Sequence, residues 1–322
     1  MSRFLSLIIP MYKVEQYLCR CLDSCLSQDI AYSDYELIII NDGSPDGCLS
    51  IAKDYQSRYD NVFIIDQVNQ GLSVARNNGL KMATGQYVWF IDSDDWIEKN
   101  CLGRIIKKIK EDFPDLLQIG YRIVYDNPIS ETESRRGLLE KTVTGKEAMM
   151  NTLVPAQAQL TLYRRDFLLS RSLMFYPGIY HEDSEFKPRV LFFAEKYSSL
   201  DYIVYNYYQR SQNSIMATFN LKRGMDIIQV ADSLYSFVHE MSMTGRIKRS
   251  YYCWITLVLN QMLRGLHTLP ESDAERVKDK LWEKKYLLSS MMGSAKIRHR
   301  IEGFIFRLNY NLGLLIFAGK RY

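Results

Sequence analysis

The sequence predicts an α/β fold built on a mainly parallel, doubly wound sheet, and three observations carry that reading. Strand-like and helix-like segments alternate through residues 1–125 at lengths that suit βαβ units. Three of the strand-like runs end at Pro10, Asp42 and Asp92, and in such sheets ligands gather beyond the carboxyl ends of the strands. The third run closes on Asp92-Ser93-Asp94-Asp95, three carboxylates within four positions.

In chain order, residues 4–9 form an apolar run stopped by Pro10. Residues 15–27 have helical spacing, with Tyr17, Leu18, Cys21, Leu22 and Cys25 on one side. Residues 35–40 read as the next strand, followed by the turn-rich Asn41-Asp42-Gly43-Ser44-Pro45-Asp46-Gly47. Residues 49–59 read as helix, 62–65 as strand, 73–83 as helix and 86–91 as a buried strand. Residues 116–125 suggest a strand and 126–137 a loop or hairpin tip. Thr144-Gly145-Lys146-Glu147 is a capping box that opens a short helix. Residues 202–208 form an aromatic-rich strand. Its Tyr202, Tyr205, Tyr207 and Tyr208 could form a stacking wall for a ligand, but aromatic strand residues are ordinarily core, which is the reading we favour. From Leu221 onward the pattern is helical without recognisable chemistry.

The final stretch stands apart. Ile301, Phe304, Ile305, Leu308, Leu312 and Leu315 share one helical face, with Phe306, Tyr310 and Phe317 nearly opposite and Arg300 and Arg307 on a flank. Glu302, Arg307, Asn309 and Asn311 interrupt it too often for a membrane span. An interfacial helix and a helix packed on the body of the protein both remain open.

Composition bounds the classes. A chain of 322 residues holds one large domain or two moderate ones. Its 47% hydrophobic and 24% charged residues are those of an ordinary globular protein. Net charge is +4, and no basic stripe interleaved with aromatics occurs in the first half, so nucleic acid is not an expected partner. Cys19, Cys21 and Cys25 lie on one helix, but no second cluster or histidine gives zinc spacing. The six cysteines therefore read as structural or free thiols, and these together with the missing signal peptide point to the cytoplasm.

Crowded anions raise one another's energy unless a positive charge lies between them. For the tetrad at 92–95 the natural neutraliser is Mg2+ or Mn2+, which takes oxygen ligands and completes its shell with substrate phosphates. A solvated loop with Asp95 as helix N-cap is the plain alternative. The loop at 41–47 is not a calcium site, because the position that needs a bidentate Glu is Lys53. Asp42 is left as an acceptor for a ligand N–H, or as part of an ordinary turn. Asn69-Gln70-Gly71-Leu72-Ser73-Val74-Ala75-Arg76-Asn77-Asn78-Gly79 enters a helix with Gly71 just before it, where backbone can approach an anion and Arg76 can reach a phosphate or a base carbonyl. Neither a dinucleotide fingerprint nor a P-loop is present.

Taken together these pieces describe a nucleotide-diphosphate site. Leu7-Ile8-Ile9-Pro10-Met11-Tyr12, Asn41-Asp42-Gly43-Ser44, Gly71-Leu72-Ser73-Val74-Ala75-Arg76-Asn77 and Asp92-Ser93-Asp94-Asp95 occur in order and at fitting spacing, and with them residues 1–100 resemble the family 2 glycosyltransferases, inverting enzymes of GT-A fold. The resemblance implies that Pro10, Tyr12, Glu15, Asp42, Gly71, Arg76, Asp92 and Ser93 contact the nucleotide-sugar, and that Asp92 and Asp94 bind the metal. Lys13 and Pro45 stand where Asn and Thr are common in that family; both bear on the base.

Further on, His181-Glu182-Asp183-Ser184-Glu185-Phe186 and Arg210-Ser211-Gln212-Asn213-Ser214-Ile215-Met216 resemble segments of capsule and O-antigen members. By that similarity Asp183 is the general base, Glu182 its neighbour, and Arg210 and Ser214 lie in a segment over the diphosphate. A helix N-terminus supplied with acidic residues is the structural alternative for Glu182-Asp183. The expected layout is a GT-A domain over 1–220, with a nucleotide-sugar half at 1–125 and an acceptor half at 126–220, then a helical extension at 221–322.

The expected activity is inverting transfer of a hexosyl or N-acetylhexosaminyl group, from a nucleotide-sugar that is expected to be a UDP-sugar. The acceptor is a glycan or lipid-linked glycan of a bacterial surface polysaccharide. A peripheral membrane contact through 297–322 would put the protein on the inner face of the cell membrane. A sugar-nucleotide pyrophosphorylase and a non-catalytic nucleotide-sugar-binding protein are the alternatives; the first would need a glycine- and arginine-rich loop where this chain has Pro10-Met11-Tyr12-Lys13.

Overall fold

The computed structural model describes residues 3–126, 129–210 and 219–318. The chain divides into two units, Met1–Gly178 with Val190–Gln212, and Ile179–Arg189 with Asn213–Tyr322.

The first unit is organised by a nine-stranded sheet. Its strands are β1 (Leu5–Met11), β2 (Tyr35–Asp42), β3 (Val62–Gln67), β4 (Tyr87–Phe90), β5 (Trp96–Ile97), β6 (Leu116–Asp126), β7 (Ile129–Ser134), β8 (Thr161–Arg164) and β9 (Tyr197–Gln209). They lie in the order β3-β2-β1-β4-β8-β6-β9-β5, with β7 beside β6. β1–β4, β6 and β9 run one way and β5, β7 and β8 the other, so the sheet is mainly parallel, as expected.

Every residue of β1 and β2 is buried, because helices cover both faces of a doubly wound sheet. On one face Leu7, Ile9, Leu37, Ile39, Trp89 and Ile91 pack with Leu18, Cys21, Leu22 and Cys25 of α1 (Glu15–Leu26) and with Ala52 and Tyr55 of α2 (Cys48–Arg58). On the other lies α3 (Leu72–Met82). A Cβ added to its Gly79 would stand 2.4 Å from Ile8 and 2.9 Å from Ile40, so the missing side chain lets helix and sheet close up. Each fully buried Leu or Ile here contributes roughly 1.5–3 kcal/mol.

Next, α4 (Leu102–Asp112) buries Leu102, Ile105, Ile106 and Ile109 on the first face. The stretch expected as a loop or hairpin tip instead carries a strand: β6 continues to Asp126, and β7 pairs back on it antiparallel over 129–134. α5 (Gly145–Asn151) opens on the expected capping box, with the Glu147 N–H donating to Thr144 Oγ1 at 3.2 Å. α6 (Arg165–Ser170) follows β8.

The helix α7 (Glu182–Phe193) begins in the second unit, which also holds α8 (Leu221–Glu240), α9 (Gly245–Gly265), α10 (Glu271–Glu283), α11 (Tyr286–Ser290), α12 (Ile297–Leu308) and α13 (Tyr310–Phe317). Ile227, Ala231 and Leu234 of α8 are buried, as are Ile255, Leu259 and Met262 of α9. The C-terminal stretch is two helices rather than one face. Asn309 is extended (φ −154°, ψ 115°) and its side-chain oxygen caps α13 by accepting the Leu312 N–H at 3.0 Å.

Candidate active site

The carboxyl ends of β1, β2 and β4 bring Pro10, Asp42 and Asp92 to one edge of the sheet, since β1 is hydrogen-bonded to both β2 and β4. Along the tetrad, burial alternates. Ser93 and Asp95 are buried, while Asp92 and Asp94 are half-buried and open outward.

Each of the two open carboxylates meets an arginine. Arg76, which is buried, donates to Asp92 Oδ1 at 2.7 Å and lies over the Phe175 ring. Arg210 donates to Asp94 Oδ2 and stacks on Tyr17. Burial and the charge of Asp92 raise the Asp94 carboxyl above its ordinary value, and Arg210 opposes them. Asp95 is pushed up further by burial and by its two acidic neighbours. It accepts from the Tyr205 hydroxyl at 2.6 Å and the Tyr208 N–H at 2.8 Å, and the same Tyr205 oxygen accepts the Asp92 N–H at 3.2 Å. Tyr205 thus ties β9 to the turn that presents both open carboxylates. Arg20 donates to the Asp94 carbonyl at 2.9 Å from between the rings of Trp96 and Tyr208.

The donor set suits a hard cation. Two carboxylates face outward from a turn where negative charge is already crowded, and among the described residues no cluster of three or more His, Cys, Asp or Glu side chains is gathered for a metal. A magnesium-like ion bound here would take most of its shell from phosphate and water, as such ions commonly do.

Asp42 is buried, and its carboxylate shapes the neighbouring loop. The Gln70 and Gly71 N–H groups and Gln67 Nε2 all donate to it at 2.8 Å. The anion at the entry to α3 is therefore one the chain supplies itself. Gly71 (φ +87°) takes a left-handed backbone there, with open space where a Cβ would point. Glu15 accepts the Gly47 N–H at 2.9 Å, and its own N–H donates to Asp46 at 3.1 Å. Burial raises the Asp46 carboxyl, but hydrogen bonds from Cys48, Ser44 and the Glu15 N–H outweigh it and hold the group at about 2. Tyr12 is exposed, and the Lys13 N–H donates to Ser44 Oγ at 2.7 Å.

In the second unit His181 (φ 62°) precedes α7, and its Nε2 accepts from Arg223 Nε at 3.0 Å. That bond requires a neutral ring, and burial lowers the pKa of His181 in the same direction. Glu182 is buried and Asp183 half-buried, with Asp183 Oδ1 accepting the Ser184 N–H at 2.6 Å. One turn on, Lys187 is wholly buried; burial lowers its pKa to about 7 against the opposing charge of Asp183. Pro188 inside α7 has no N–H for the Ser184 carbonyl, and Trp254 Nε1 of α9 donates to that oxygen at 3.0 Å instead. Ser214 lies outside the described residues.

Sequence reasoning missed Tyr205, Tyr208 and Arg20 as supports of the tetrad, Trp254 as a support of the Asp183 turn, and Lys187 as a buried amine within reach of the Asp183 charge. Tyr205 is core and a site support at once, which neither reading of the tyrosines covered. Lys187 lay one helical turn beyond Asp183, a spacing that could have signalled it.

Comparison with known proteins agrees with this architecture. The chain is 29% identical over 309 residues to "Uncharacterized glycosyltransferase EpsJ" of Bacillus subtilis, covering 93% of this chain and 87% of that protein. It is 40% identical over 114 residues to the "Poly(ribitol-phosphate) beta-glucosyltransferase" of Bacillus spizizenii, covering 35% of this chain and 18% of that protein. The structure matches S. aureus TarS 1–349 in complex with UDP-GlcNAc at a TM-score of 0.68 and 20% identity, over 98% of this chain and 89% of the other. That likeness establishes the expected GT-A-like α/β fold. Residues 6–170, more than half of the chain and the part that carries the tetrad, match the description "Glycosyl transferase family 2", and with the sheet and motif order in agreement the chain belongs to that family and is a glycosyltransferase.

Proposed function

We propose that this glycosyltransferase moves a hexosyl or N-acetylhexosaminyl group from a UDP-sugar to a hydroxyl of a glycan or lipid-linked glycan, with inversion at the anomeric carbon. The observation that carries the reading is the pair of outward carboxylates, Asp92 and Asp94, each held by a guanidinium at the end of β4. The UDP-GlcNAc complex of TarS supports a uridine nucleotide. The printed name of the Bacillus spizizenii relative supports an acceptor in a surface polymer. A cytoplasmic location, peripheral on the inner face of the cell membrane, belongs to the same reading.

Within it, Pro10, Tyr12 and Asp42 receive the base and ribose, with Glu15 fixing the loop at 46–47 beside them. Gly71 and Arg76 lie along the nucleotide, Ser93 spaces the two carboxylates, and Arg210 and Ser214 belong to the segment over the diphosphate. Asp92 and Asp94 would hold Mg2+ or Mn2+, which when bound offsets negative charge on the departing nucleotide. Asp183 takes the proton from the attacking hydroxyl, a contribution on the order of 10²–10⁴ in rate. Glu182 beside it keeps that turn acidic. Membership of a transferase family displaces the pyrophosphorylase alternative.

The test is a panel of nucleotide-sugars screened for thermal stabilisation with Mn2+, followed by NMR assignment of the product anomer. A UDP-sugar should stabilise the wild type and leave Asp94→Asn unmoved. Stabilisation of both proteins alike, or a product of retained configuration, refutes the reading. A protein that binds donor but neither hydrolyses nor transfers it would be the non-catalytic alternative.

A further inference from the structure

The helices α12 and α13 turn their less apolar face inward. Buried on that face are His299, Glu302, Gly303, Phe306, Gly313 and Leu314. Glu302 accepts from Asn260 of α9 and from Arg298, each at 3.0 Å, and His299 pairs with Ser294 at 2.9 Å. Phe306 fills the space that Gly313 leaves free, 5.7 Å from the Phe317 ring. Opposite that face α12 carries Ile297, Ile301, Phe304 and Leu308, and α13 carries Leu312 and Leu315 on its outside; every one of them is between 45% and 79% exposed. Isolated exposed leucines are ordinary, but six large apolar residues together on two successive helices mark a surface built to be covered.

Charge identifies what covers it. Between residues 296 and 318 the chain has four basic residues, Lys296, Arg298, Arg300 and Arg307, against the single acid Glu302. That acid is buried and already paired, while Lys296, Arg300 and Arg307 are exposed beside the apolar stripe. A second copy docked on the stripe about a twofold axis would bring the same cations against each other. An anionic surface would not. Trp282, half exposed and tilted against Tyr310 at the start of α13 with ring centroids 5.0 Å apart, adds an aromatic of the kind that sits at headgroup level. Among the described residues no helix is long and apolar enough to cross a bilayer. The pattern is that of helices lying in the plane of the interface.

We propose that α12 and α13 form a docking surface for anionic lipid, with Ile297, Ile301, Phe304, Leu308, Leu312 and Leu315 entering the acyl boundary while Lys296, Arg300 and Arg307 engage the headgroups. This deepens the peripheral location proposed above by naming the residues and the lipid chemistry, and it does not depend on the transfer reaction. The probe is co-sedimentation of the full chain with vesicles of phosphatidylcholine alone or mixed equally with phosphatidylglycerol. The wild type should bind the mixed vesicles at least tenfold better than the neutral ones, and binding should weaken as salt is raised.

Phe304→Ser with Leu308→Ser should lower binding on the order of a hundredfold, because each removes a large inserted side chain. Lys296→Gln with Arg307→Gln should remove the preference for the anionic vesicles. All replaced side chains are exposed, so thermal melting and donor hydrolysis should stay at wild-type levels in both variants. Vesicle binding that both variants retain in full overturns the proposal. So does a wild type that ignores vesicles but sediments as a dimer, which Phe304→Ser/Leu308→Ser returns to monomer. A wild type that binds the vesicles but hydrolyses no donor would count against the transferase reading alone.

Discussion

Asp94 lies between opposed influences: burial and Asp92 favour its neutral form, while Arg210 favours the carboxylate. An arginine in that position favours the charged acid but occupies an oxygen that a cation would need. Removing it should therefore help a bare ion and harm a nucleotide. In Arg210→Gln, Mn2+ alone should bind about tenfold tighter by electron paramagnetic resonance at pH 8, since a competing ion pair of a kcal/mol or more has gone. UDP affinity in the presence of Mn2+ should fall. Unchanged Mn2+ affinity would mean that the Arg210–Asp94 pair does not compete with metal. Lys187 offers a pH test of a different residue. Its folded pKa of about 7 lies below its ordinary value of 10.5, so between those values the unfolded chain binds more protons and stability climbs with pH. From pH 7.5 to 9 the urea-unfolding free energy should rise on the order of 1–2 kcal/mol more in the wild type than in Lys187→Met. Parallel profiles would show that the buried amine is not depressed.

At the scale of elements, α7 shows how a helix can cross a proline. Pro188 deprives the Ser184 carbonyl of its partner, and Trp254 replaces it from a helix distant in sequence. Trp254→Phe should cost about 1–2 kcal/mol by leaving that buried oxygen unpaired. In a Pro188→Ala background the helix regains its own N–H, and the same change should cost about half as much or less. A double-mutant cycle by chemical denaturation measures the difference, and strict additivity would disprove the substitution of one donor for the other. This helix also marks where the sequence stopped being legible. The βαβ alternation and the Thr144 capping box could be read because each depends on neighbours in the chain. The polar, exposed β7 instead reads as a loop or hairpin tip, because among the described residues its only partner is β6. A proline within a helical pattern argues for a helix end, and only the fold reveals a donor 70 residues away. The C-terminal helices were opaque for the same reason. The sequence left an interfacial and a packed helix open, and the buried carboxylate of Glu302 finds its partner in Asn260, 42 residues away on α9.

At the scale of the molecule, the chemistry expected of this chain is divided between its two units. Asp42, Gly71, Arg76, Asp92, Asp94 and Arg210 belong to the sheet unit; His181, Glu182, Asp183 and Lys187 belong to the helical one. The first group was legible because strand ends display their residues in fixed order along the chain. The second was visible only by resemblance, since its turn depends on Arg223, Trp254 and Ser233 from α8 and α9. If donor binding resides in the sheet unit and proton removal in the helical unit, the two tasks should come apart under mutation. Asp183→Asn preserves size and the acceptor oxygen that receives the Ser184 N–H. Calorimetry should give it the wild-type affinity for UDP with Mn2+, while the transfer rate falls 10²–10⁴-fold, roughly the contribution of a positioned base. A joint loss of affinity and rate would assign Asp183 to donor binding, and a rate within a few-fold of wild type would remove it from the reaction altogether.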